Sequence, residues 1–120
     1  MAYSLMKAIQ QMKLYARNNI IPKYKQCIDN YINDYRQKNI KNLYITIRIK
    51  EGGFIIEEID NYKTTDILRY ITECIMNYIE LKIKYYNYSS HNKKDMEKMF
   101  NDELNDYFQI EVEPVEKYHI

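Results

Sequence analysis

The sequence predicts an α+β fold in one domain. Apolar residues recur three and four apart near both ends and in the middle of the chain, the spacing of buried helix faces. Between them, residues 42–60 alternate with a period of two and turn at the only two glycines. The chain has 120 residues, 46% of them apolar, which is the size of one ordinary domain with a real core. The expected order is two N-terminal helices, a β-hairpin, a long central helix, a C-terminal helix and a short last strand. The helices would pack on one face of a small antiparallel sheet, with residues 1–120 forming a single domain and 114–120 a loose tail.

Residues 3–19 read as the first helix. Leu5, Ile9, Met12 and Ala16 make its apolar seam, supported by Met6 and Ala8, while Lys7, Gln10, Lys13 and Arg17 lie outside. Asn18 and Asn19 are a stop signal, and Pro22 suits the first turn of the next helix. In that helix, residues 22–38, Tyr24, Ile28, Tyr31 and Tyr35 repeat at helical spacing beside Cys27 and Ile32. The short link favours an αα-hairpin; a kink at Pro22 in one long helix is the alternative.

In residues 42–50, Leu43, Ile45, Ile47 and Ile49 alternate with Tyr44, Thr46, Arg48 and Lys50. Glu51, Gly52 and Gly53 supply a turn, and residues 53–60 return as the second strand. Two registers are open. One places Phe54 and Ile56 with the isoleucine row, and the other, with a bulge, places Ile55 and Ile59 there.

The central helix runs from Thr64 or Thr65, its N-cap, with Asp66 in the first turn complementing the dipole. Its seam reads Ile67, Ile71, Cys74, Tyr78, Leu81, Tyr85 and Tyr88, widened by Leu68, Ile75 and Ile79. Arg69–Glu73 and Glu80–Lys84 are spaced for surface ion pairs. Residues 78–86 also alternate, so a helix ending near 77 and a third strand form the competing reading. After a loop at 87–92, residues 93–107 make the last helix, with Met96, Met99, Phe100, Leu104 and Tyr107 inward. Residues 110–113 alternate as a short strand on the hairpin edge, stopped by Pro114.

No apolar run approaches the ~20 residues that span a bilayer, and no secretory signal is evident, so a cytoplasmic location and no membrane are expected. Cys27 and Cys74 fall on apolar helix faces and read as buried thiols. Ile, Lys, Asn and Tyr supply about half the chain. All have A/T-rich codons, which fits an A/T-rich genome such as that of a phage, a large DNA virus, a clostridia-like bacterium or a parasite, and argues against reading the fourteen tyrosines as a binding surface. The net charge of +1 hides a split. Residues 1–50 carry ten Lys/Arg and two Asp, giving +8, and residues 51–120 carry eight Lys/Arg and fifteen Asp/Glu, giving −7.

Chemistry is sparsely signalled. His91 and His119 have no ligand partner at helical spacing, the two glycines form no phosphate loop, and no cofactor or metal is expected. Glu57, Glu58, Asp60 and Asp66 with the Glu-x-Lys run Glu80–Leu81–Lys82 would suit a Mg²⁺-dependent nuclease only if 78–86 were a strand. The basic half is the better signal: Lys7, Lys13, Arg17, Lys23, Lys25, Arg36, Lys38 and Arg48 are the candidate partner-binding residues. The leading expectation is a small non-enzymatic accessory protein that binds another protein. That partner is a host or defence factor if the source is viral, or a second copy in a homodimer. The alternative is a nucleic-acid-binding module, with Tyr24 or Tyr44 stacking on bases. Met6, Met12, Met96 and Met99 read as core first and as an adaptable partner groove second.

Overall fold

The computed structural model describes residues 2–51, 54–61, 64–85 and 92–115, with side chains placed for 5–50, 66–85 and 92–115. The elements are α1 (Ala2–Asn19), α2 (Ile21–Gln37), β1 (Leu43–Glu51), β2 (Phe54–Asn61), α3 (Thr64–Tyr85), α4 (Lys93–Leu104) and β3 (Phe108–Pro114). The α+β architecture and its order are as the sequence predicts. The strands form one antiparallel sheet in the order β2-β1-β3, so the final strand does join the hairpin, on the free edge of β1.

Alternation sets the two faces of the sheet. Leu43, Ile45, Ile47 and Ile49 of β1 are buried beside Phe108, Ile110 and Val112 of β3. Opposite them lie Tyr44, Arg48 and Lys50 with Gln109, Glu111 and Glu113, all half-buried. In the hairpin Ile47 pairs with Ile59, but Lys50 pairs with Ile55, because the register shifts between Ile49 and Lys50. The bulge is therefore present, although Ile55 sits opposite the polar row of β1. The expected Gly52–Gly53 turn lies outside the described residues. β3 begins two residues earlier than its alternation suggests, and the Val115 N–H bonds to the Asn42 carbonyl beyond its other end.

Helix boundaries follow local chemistry. α1 and α2 meet at the single residue Ile20, whose N–H still donates to Ala16 O (2.9 Å). Pro22 falls in the first turn of α2, where no intrahelical donor is needed. At the far end Asn39 takes a left-handed φ of 62°. Its N–H bonds to Arg36 O and that of Ile40 to Tyr35 O, the paired closure that ends many helices. Asn92 caps α4 by accepting from the Asp95 N–H at 2.9 Å.

The core is organised on α3. Ile67, Ile71, Ile75, Ile79 and Ile83 step by four residues, and each is at most 1% exposed. They form a ridge that winds obliquely across the helix, and α3 packs chiefly against α1. This corrects the expected seam. Cys74 and Tyr78 are only half-buried, and Leu81 and Tyr85 are 53% and 76% exposed. It also decides between helix and strand for residues 78–85. A strand would place Ile79, Leu81 and Ile83 on one face, whereas the helix turns Leu81 roughly 200° from Ile79. Three further residues expected inside are exposed, namely Met6, Tyr31 and Cys27. α1 and α2 each bury a narrower stripe than their apolar content allows.

Two substitutions test this geometry. Ile79→Ala should cost about 2–5 kcal/mol by emptying a packed site, and Leu81→Ala about 0.5 kcal/mol or less. Chemical denaturation would measure both, and equal costs would favour the strand.

Candidate functional site

The eight basic candidates do not form one cluster. Lys7 and Arg17 stand on the outward face of α1, and Lys23, Arg36 and Lys38 on or just beyond α2. All five are exposed and have no ion-pair partner among the described residues. Lys25 pairs with Asp29 one turn along the same helix, at 3.2 Å. Two reach into the acidic half: Lys13 to Glu80 of α3 at 3.3 Å, and Arg48 to Glu111 of β3 at 2.8 Å. The charge split is thus neutralised internally at two of the eight positions. The hydrogen bond from Lys13, followed by its charge and then the contact from Lys84, holds the Glu80 carboxyl below its ordinary range. Arg69, expected to pair with Glu73, instead meets Asp66 at 3.1 Å.

Sharing the outward face of α1 are two apolar residues. Met6 and Leu14 are 59% and 60% exposed. Positions 7, 10, 14 and 17 step by three and four, so Lys7, Gln10, Leu14 and Arg17 line up along the helix. Leu14 lies between the two cations.

The tyrosines do something the sequence did not reveal. Tyr24 Oη donates to the carbonyls of Leu104 and Asn105, tying α2 to the end of α4. Tyr35 Oη donates to Val112 O at 2.9 Å, joining α2 to β3. Tyr78 Oη donates to Glu103 Oε2 at 2.6 Å, joining α3 to α4, and Asn101 Nδ2 donates to Tyr15 Oη between α4 and α1. Their rings pack as well. Tyr24 meets Phe108 edge-on at 5.2 Å, Phe108 meets Tyr107 at 5.0 Å, and Tyr107 meets Tyr78 at 5.1 Å. Among the described residues no buried side-chain nitrogen or oxygen lacks a partner. Tyr24 is therefore part of the core, with its hydroxyl committed to backbone carbonyls.

Below Tyr24 lies a cleft of about 210 Å³ between α2, α4 and the start of β3. Ile20, Tyr24, Phe108 and Ile110 form its apolar floor, and Lys23, Cys27, Asn101 and Asn105 its polar rim. Cys27 is an exposed free thiol here.

The acidic group changes character. Glu80 and Lys82 sit on a helix, two residues apart and so roughly 200° around it, with Glu80 held by Lys13 and Lys84. The strand that a nuclease assignment needs is a helix. The side chains of Glu57, Glu58 and Asp60, and both histidines, lie outside the described residues. Among the described residues no three His, Cys, Asp or Glu side chains are grouped to hold a metal ion, and no helix is long and apolar enough to cross a membrane.

No family model, curated protein or solved structure matches the chain. The functional reading rests on its own surface.

Burial pushes the Tyr24 hydroxyl up from 10.0 to about 12, against the opposing pull of the Phe108 and Tyr107 backbone. The folded chain keeps this proton where the unfolded chain has lost it, so Tyr24 stabilises fully below pH 10 and its contribution falls as pH rises towards 12. The loss over that window is roughly 2–3 kcal/mol. Tyr24→Phe should destabilise the protein at neutral pH by about 0.5–1.5 kcal/mol, because it removes a buried hydrogen bond to the Leu104 carbonyl, which keeps only the longer one from the Tyr107 N–H. It should also flatten the alkaline decline, as denaturant titrations at several pH values would show.

Proposed function

We propose that this protein acts in the cytoplasm as a non-enzymatic accessory protein, binding another protein through the outward face of α1. The observation that supports this is the placement of exposed Leu14 between Lys7 and Arg17, with exposed Met6 beside them. An exposed apolar group framed by cations suits an acidic surface that also offers an apolar contact. The A/T-biased residue usage makes a host or defence factor, met by a viral or phage protein, the concrete form of that partner. A homodimer is the self-complementary form, since α4 carries exposed Asp95 and Asp102, with Asp106 just beyond its end.

A nucleic-acid module is the second reading, supported by the five exposed cations of the N-terminal helices. It has less support, because Lys13 and Arg48 are engaged with carboxylates. Leu14 and Met6 have no role in it.

Light scattering and a salt series separate these readings. A mass twice that of the 14.8-kDa chain, returning to one chain mass in Leu14→Glu/Arg17→Glu, supports self-association through α1. Strong binding to mixed-sequence DNA or RNA at low salt, falling steeply as salt rises, would replace protein binding with the second reading. Both double-variant positions are exposed, so the melting temperature should stay close to wild type.

A further inference from the structure

The cleft beside Tyr24 has the size and lining of a small-molecule site, and nothing in the α1 reading uses it. Its floor is closed by residues of limited exposure: Ile20 at 3%, Phe108 at 6%, Tyr24 at 7% and Ile110 at 9%. Aromatic rings form two of its surfaces, held edge-to-face with each other. A dry cavity of about 150 Å³ takes one benzene ring, so about 210 Å³ takes a ring with a short substituent reaching the open rim.

The rim sets the polarity of that substituent. Among the described residues Lys23 is the only charged one lining the cleft, and it is exposed and has no carboxylate partner there. The side-chain amides of Asn101 and Asn105 add hydrogen-bonding groups, and among the described residues no acid lines the cleft. The end of α4 would disfavour an anion through its carbonyls, but those of Leu104 and Asn105 already accept from Tyr24 Oη. Asp106 bears electrostatically on Tyr24, yet it is exposed to water and does not line the cleft. We propose that the cleft binds small aromatic carboxylates of phenylacetate size, with the ring on the Ile20–Tyr24–Phe108–Ile110 floor and the carboxylate at Lys23.

Cys27 on the rim gives a direct readout, and half-buried Cys74 on α3 provides the reference within the same molecule. The full chain is alkylated with iodoacetamide, and the rate at each thiol is followed by peptide mass spectrometry. Phenylacetate should slow alkylation of Cys27 severalfold at saturation and leave Cys74 unchanged. Phenylacetamide, with the same shape and no charge, should protect much less. In Lys23→Gln the protection by phenylacetate should fall to that of the amide. Lys23 is exposed, so this variant should fold normally, which circular dichroism and an unchanged Cys74 rate would verify. Absence of protection at Cys27 would overturn the site. Equal protection by acid and amide, or full protection in Lys23→Gln, would overturn the carboxylate assignment.

Discussion

Everything else in the fold is arranged around the isoleucine ridge of α3. Five side chains at intervals of four, each at most 1% exposed, require partners around much of the helix. A ridge of that pitch does not stay on one side, because four residues advance 40° more than one turn. The helix therefore needs several neighbours, and it packs against α1, α2, β1 and β2. Isoleucine suits the role: its χ1 is nearly fixed in a helix, so its burial costs little rotamer freedom and defines one packing. The sheet supplies a second isoleucine row, on β1, to the same core.

Tyrosine extends that core to its margins. A purely apolar packing would leave helix-end carbonyls and sheet-edge groups without partners where elements meet. Tyr24, Tyr35 and Tyr78 each place a ring beside the apolar cluster and carry the hydroxyl to an acceptor on another element. One side chain thus provides apolar contact and a directed polar link, and several such links fix how the helices sit on the sheet. The abundance of tyrosine can originate in codon usage and still be put to structural use.

The helices, the hairpin and the position of the last strand were legible because periodicity and turn chemistry are local signals, although these leave the hairpin register open between two pairings. The phase of α3 was not legible. Ile, Leu, Tyr and Cys surround so much of that helix that a heptad seam through Tyr78, Leu81 and Tyr85 fits as well as the four-residue ridge, and only the packed neighbours select between them. The same ambiguity put Met6, Cys27 and Tyr31 inside. Hydroxyl links such as Tyr24 to Leu104 join residues 80 positions apart, and no local pattern announces them. Of the candidate surface, the cations were readable one by one. The framing of Leu14 by Lys7 and Arg17 was present in the spacing, hidden because Leu14 counted as one more apolar residue. The cleft needed the approach of α2, α4 and β3.

The strand order β2-β1-β3 bears on how the chain reaches this state during its synthesis. β1 and β2 are neighbours in sequence and can pair early, but a two-stranded hairpin alone is marginal in water. The second edge of β1 is matched only by β3, which leaves the ribosome after α3 and α4. Until then β1 presents an isoleucine-rich edge, the kind of surface on which nascent chains pair wrongly with one another. Sheet completion is thus a long-range closure made late.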